Sequence, residues 1–168
     1  MMDHNEEKIN LSKLLNIVGM NSADISTFEK PIIGTQALAT CFGVLLYDEN
    51  QKIGIVAHFT HDIEATIIKI LKLIDFDKEY KFKYIIFPGY YSKDQDPYNT
   101  KLRLESFFNE FKMDNLQFIP FNNNDITANA LLEGPFSHQF AFDTRTGKFV
   151  TDKVLFGIDY IEAQEKTR

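Results

Sequence analysis

Tryptophan is absent from the 168 residues, and cysteine occurs once, at Cys41. A single cysteine excludes an internal disulfide and a Cys-rich zinc site. An excess of positive charge is also missing: 18 Lys and Arg stand against 24 Asp and Glu, for a net charge of −6. With no basic patch or arginine-rich run, a nucleic-acid partner is not expected. No apolar run approaches the ~18 residues of a membrane span, so no membrane insertion is expected. The opening MMDHNEEK is acidic and polar and lacks the apolar stretch of a signal peptide, which points to the cytoplasm. Secretion by a route needing no cleaved signal, as for an effector, would leave no mark of this kind. Phosphate loops of the GxxxxGK[ST] or GxGxxG type and a GxSxG elbow are absent, so no cofactor is expected. His58 and His61, with Asp62 and Glu64 nearby, fit no recognised ligand spacing, so no metal is expected either.

What is present suits a globular chain. Hydrophobic residues make up 44% and charged residues 25%, near the averages for soluble domains. Sixteen Phe and seven Tyr take over the packing that Trp would share. The length suits one domain over residues 1–168, with 1–10 a loose end and 163–168 a polar tail. Repeats, linkers and low-complexity segments are absent.

Two readings compete near the start. Leu11, Leu14, Leu15 and Val18 have helical spacing, with Asn10 as N-cap, which gives a short helix over 11–17. An extended run over 15–19 is the rival. Residues 21–30 are polar and loop-like, and Pro31 opens an extended run over 32–39. Apolar runs at 42–47 and 53–57 flank a polar stretch and read as a β-hairpin. Ile63, Ile67, Ile70, Leu71 and Ile74 lie on one helical face, giving a helix over 63–74 capped by Thr60 or Asp62. A strand is expected over 81–87, a polar loop over 90–98 and a second amphipathic helix over 100–112. Strand regions follow at 116–121 and 136–142. The turn 144–147 leads to a hairpin partner at 149–150, and 154–158 reads as one more strand. Residues 126–132 fit no single type. The order of elements predicts an α+β fold: a layered, largely antiparallel, sandwich-like β-sheet system with two amphipathic helices on one side.

The stretch 35–59 carries the chemistry. With a four-residue loop at 48–51, Cys41 falls directly opposite His58 across the hairpin. Opposed side chains share a face at a Cβ separation of roughly 4.5–5.5 Å, close enough for a thiol and an imidazole to exchange a proton. A lone cysteine is more often a small buried hydrophobe than a nucleophile. The residues around this one, Gly34, Thr35, Thr40 and Gly43, are small or polar where a core strand would carry branched aliphatics. His58, which ends an apolar strand, reads either as a strand-edge histidine with one satisfied hydrogen bond or as a general base that takes the thiol proton and holds a thiolate–imidazolium pair. His61 ranks below it, because the start of a helix disfavours positive charge. His138 alternates with phenylalanines and reads as structural, and His4 lies in the loose end.

Thr35, Cys41 and His58 together resemble the CheD chemoreceptor glutamine deamidases of bacterial chemotaxis. That family has a Thr-x-Leu-Gly-Ser-Cys stretch entering an apolar strand, a Tyr-Asp turn, and a second strand ending Ala-His. Here TQALATC (35–41), FGVLLYD (42–48) and IGIVAH (53–58) follow in the same order and spacing. NIVGMNSADIS (16–26) is similar to the family's opening strand and turn, which favours the extended reading there. FAFDTRTGKFV (140–150) resembles its closing hairpin. Three family motifs are changed. Its Gly-Gly-Ala is Pro88-Gly89-Tyr90 here, and its Ile-Gly-x-Arg-Asn gives way to Tyr98-Asn99-Thr100. Its late Gly-Gly-x-x-Gly-Arg has become Glu133-Gly134-Pro135 with Ser137-His138-Gln139. The same catalytic fold occurs in toxin deamidases such as the cytotoxic necrotizing factors and the Burkholderia lethal factor.

The resemblance implies a protein-glutamine deamidase. Cys41 is the expected nucleophile, His58 the acid and base, and Thr35 the residue that orients His58. The backbone N–H groups of Thr40 and Cys41 are the expected oxyanion donors, and neither metal nor cofactor takes part. The partner implied is a protein carrying an exposed glutamine: a chemoreceptor in the same cell, or a different target in the manner of a toxin or effector. The departures from the family motifs lean toward the second. Two other classes stay open: a non-catalytic binding module that docks a partner, and a cysteine hydrolase acting on peptides or esters. The sequence does not set the oligomeric state.

Overall fold

The computed structural model describes residues 13–60, 62–89, 97–111, 113, 116–120 and 138–150. The loose end and tail, His4, His61, most of the loop 90–98, residues 126–132, Glu133, Gly134, Pro135 and Ser137, and the strand expected over 154–158 lie outside the described residues.

Among the described residues, nine strands form two sheets. The first contains β1 (Leu15–Val18), β3 (Ile32–Leu38), β8 (His138–Asp143) and β9 (Lys148–Phe149), in the order β1-β3-β8-β9. The second contains β2 (Ala23–Ile25), β4 (Phe42–Asp48), β5 (Ile53–Phe59), β6 (Lys83–Phe87) and β7 (Gln117–Phe118), in the order β2-β5-β4-β6-β7. Only β1–β3 and β6–β7 pair in parallel; the other five pairings are antiparallel. Helices α1 (Ile63–Leu73) and α2 (Pro97–Glu110) complete the described elements. This is the layered α+β architecture expected.

Strand alternation sorts the core. Val44 and Leu46 of β4 and Ile55, Ala57 and Phe59 of β5 turn outward from the second sheet. There they meet Ile63, Ile67 and Ile70 of α1 and Leu104 and Phe108 of α2. Both helices therefore cover one face, as their apolar stripes require. The alternate residues, Leu45, Tyr47 and Val56, turn toward the first sheet. They share a second cluster with Ile33, Phe140 and Phe142, where the Phe87 and Phe140 rings stack at 3.8 Å.

Of the two readings near the start, the extended one holds: Leu15 through Val18 form a strand and pair alongside Ile32 through Thr35. Three expectations are corrected. Residues 23–25 are not loop but the edge strand β2, held against β5. The second helix starts three residues early, because Pro97, which needs no N–H partner, fits a first helical turn. The third concerns the hairpin. Asp48 is not in the loop but in β4, paired with Ile53, and the loop is 49–52. The Asp48 carboxylate accepts the backbone N–H groups of Asn50, Gln51 and Lys81, which fixes the loop one residue later than apolar patterning alone suggests. Lys52 closes the turn in the left-handed region, at φ 54°.

Candidate active site

The displaced loop moves the register by two residues. His58 stands opposite Gly43, not Cys41. A two-residue move keeps the parity of the pleat, so the same face still points between the sheets. Gly43 has no spare room: a Cβ there would lie 2.9 Å from Phe140 Cε1 and 3.5 Å from the Thr35 methyl.

Thr35 comes from β3 in the opposite sheet, and the sandwich brings it to His58. The Thr35 hydroxyl donates to the Val18 carbonyl at 2.6 Å. Its one proton is thereby used, and a carbonyl cannot be the donor. The 2.8 Å contact between Thr35 Oγ1 and His58 Nδ1 must then be an Nδ1–H donating to the hydroxyl oxygen. The imidazole is set as the Nδ1–H tautomer, with its lone pair on Nε2. That Nε2 is buried and has no hydrogen-bond partner among the described residues, although His58 is only 1% exposed. Burial also drives the His58 pKa down to about 4, so the ring is a neutral base at physiological pH.

The backbone of His58 is held as firmly. Its N–H donates to Ser22 O at 2.9 Å and its carbonyl accepts from Asn21 N at 3.0 Å. Val18, Asn21 and Ser22 all belong to the β1–β2 connection or border it, so one turn grips both the main chain and the ring partner of His58.

Cys41 lies just before β4, at the end of the connection from β3. It is 9% exposed and belongs to the apolar cluster containing Leu38, Phe87 and Phe140. Burial raises its thiol pKa, and a hydrogen bond with the Thr40 side chain partly opposes the rise. The resting pair is therefore a thiol and a neutral imidazole, not the thiolate–imidazolium pair expected. Thr35 and His58 are brought together. Cys41 shares their inter-sheet space but has no hydrogen bond to His58. The amides of Thr40 and Cys41 make no backbone hydrogen bond to another described residue.

Pattern reading missed three contributors. β3 bulges between Thr35 and Leu38, with Ala37 at φ 60°, and this irregularity turns the chain toward Cys41. Gly89 presses its backbone on the same connection: a Cβ there would run into the carbonyl oxygens of Cys41 and Ala39. The Pro88-Gly89 pair was the available signal, since a glycine after a strand often marks close backbone approach. Asn21, legible in the sequence only as a helix breaker, is the third. His138, read as structural, contacts the Pro88 carbonyl through Nδ1 at 3.1 Å.

Among the described residues no group of three or more His, Cys, Asp or Glu gathers as a metal cluster would. None of the described helices is long and apolar enough to cross a membrane. In comparisons with known proteins, no family model and no curated protein matches the chain.

Proposed function

We propose that the protein is a cysteine-dependent amidohydrolase that converts glutamine side chains of a target protein to glutamate. One observation carries this reading: the chain of bonds from His58 Nδ1–H through the Thr35 hydroxyl to the Val18 carbonyl. It leaves Nε2 as a buried, unpartnered base in the compartment that also holds the protein's one thiol.

The chemistry follows from that arrangement. For the reaction Sγ comes within hydrogen-bond reach of Nε2, which takes the proton. The sulfur attacks the carboxamide carbon, and the amides of Thr40 and Cys41 receive the developing oxyanion. One such donor is worth ~10²–10³ in rate. The imidazolium Nε2–H protonates the nitrogen of the tetrahedral intermediate, and the C–N bond breaks to release ammonia and leave a thioester. Nε2 then draws a proton from water, the hydroxide attacks the thioester carbon, and the C–S bond breaks to release glutamate and a thiolate that takes the proton back from Nε2. Because both groups rest uncharged, the nucleophile forms only as the proton moves.

The target is a protein with an exposed glutamine, either a chemoreceptor or a different protein in the manner of toxin deamidases. The product carboxylate adds a negative charge that can switch an interface. A second reading, a non-catalytic module that docks a partner, draws on the neutral, buried thiol and its missing bond to His58.

The test is mass spectrometry of chemoreceptor fragments and of a proteome lysate, each incubated with wild type or with Cys41→Ala. Glutamine-to-glutamate conversion at selected sites with wild type and none with Cys41→Ala is expected. No difference between the two proteins removes the deamidase reading and leaves the docking module.

A further inference from the structure

The β1–β2 turn is built around a residue with no part in the chemistry above. Asn21 has φ 57°, in the left-handed region that side chains other than Asn, Asp and Gly rarely enter. Three bonds hold it there. Its side-chain oxygen accepts from the Thr60 hydroxyl, just past the end of β5. Its carbonyl accepts from Lys69 Nζ of α1 at 2.5 Å. Its own N–H donates to the carbonyl of His58. The next residue, Ser22, accepts the His58 N–H, and Val18, three residues before Asn21, accepts the Thr35 hydroxyl. The left-handed kink at residue 21 is what lets the chain turn from Val18 back to Ser22 and present all these groups to one histidine.

We infer that Asn21 is the positioning residue of the candidate site, and that its left-handed conformation fixes the tautomer and aim of the His58 imidazole. The catalytic consequence rests on the deamidase reading above; the placement of the ring does not. A β-carbon-bearing residue without the Asn21 carboxamide strains the turn and drops the Thr60 anchor. The Val18 carbonyl then moves relative to Thr35, the hydroxyl proton is released from it, and that proton can turn toward Nδ1. The ring then takes its proton on Nε2 and loses its basic nitrogen.

Ring-¹⁵N-histidine NMR of the full chain at pH 7 reads this directly, since the two ring nitrogens of each tautomer have distinct shifts and couplings. Wild type shows His58, assigned by its absence in His58→Gln, as the Nδ1–H form alone. Asn21→Ala shows the loss of that single-tautomer pattern, with Nε2–H or averaged signals. Asn21→Gly, which tolerates positive φ and keeps both main-chain bonds but loses the Thr60 anchor, restores most of the wild-type pattern and falls short only by the smaller change that loss of that anchor produces. A wild-type pattern in folded Asn21→Ala overturns the inference, because a residue serving only stability would lower the melting temperature and leave the tautomer alone. If Asn21→Ala does not fold, Thr60→Val removes only the side-chain anchor. It is expected to show the same change in smaller degree, and an unchanged pattern there overturns the inference equally. Glutamine conversion is measured separately: Nδ1–H control by Asn21 without any conversion by wild type refutes the deamidase reading and not the positioning role.

Discussion

Thr35 has one hydroxyl proton and two neighbours competing for it. The Val18 carbonyl wins, since it has no proton of its own to offer. This gives a side chain in the opposite sheet control over which nitrogen of His58 is basic. Thr35→Val keeps the shape and removes the oxygen. The Nδ1–H then either stays buried without an acceptor, which costs about 1–3 kcal/mol, or moves to Nε2 and disarms the base. Loss of a positioned acid–base group lowers turnover by ~10²–10⁴, so kcat for glutamine conversion by Thr35→Val is expected to fall at least ~100-fold. Thr35→Ser retains the hydroxyl and is expected to keep most of the activity. Equal losses in the two variants, measured with melting temperatures as a control, would show that packing of the threonine methyl and not the hydroxyl matters.

At the scale of elements, the hairpin β4–β5 shows what the sequence makes legible and where it stops. The runs at 42–47 and 53–57 were readable because apolar spacing specifies strands. So was helix α1, whose cap is Asp62, accepting from Ala65 N at 3.0 Å. The register was not readable, because it depends on where Asp48 sends its carboxylate. Asp48 is nearly fully buried and gathers N–H groups from Asn50, Gln51 and Lys81 as well as the Gln51 side chain. Burial works to raise its pKa, but those donors outweigh burial and hold the carboxyl below its usual range. The Lys81 contact is long-range in the chain, so no local pattern announces it. The edge strand β2 was hidden for a similar reason: Ala23–Ile25 is only three residues long, and its identity comes from pairing with β5. Replacing Asp48 with Ala leaves several backbone donors without their acceptor. The expected loss is about 2–3 kcal/mol, read as a lower urea midpoint at unchanged slope. A midpoint within error of wild type would mean that the turn residues alone set the register.

At the scale of the whole molecule, the candidate site is an interior feature of two stacked sheets, and acid should act on the stack through it. His58 comes from the second sheet, Thr35 from the first, and the space between them is otherwise lined by groups such as Leu38, Phe87 and Phe140. A charged imidazole there has lost its water and gained no anion, and the folded-state pKa of about 4 records that cost. The unfolded chain titrates near the ordinary 6.5. Between those two values the unfolded state binds more protons than the folded one, so stability rises with pH across the window and is flat above it. The contribution is fully present above about pH 6.5 and is lost progressively as pH falls toward 4, by about 3 kcal/mol in all. Asp48, with its lowered pKa, adds a loss of the same sign at still lower pH, below the usual carboxylate range. Urea unfolding at a series of pH values between 4 and 7.5 measures the slope. Wild type is expected to weaken steadily below pH 6.5, and His58→Gln, which has nothing to protonate at this position, to lose much less over the same range. Parallel curves for the two proteins would mean that His58 is not the buried neutral group that the sandwich encloses, and the base proposed for Cys41 would then have to be sought elsewhere.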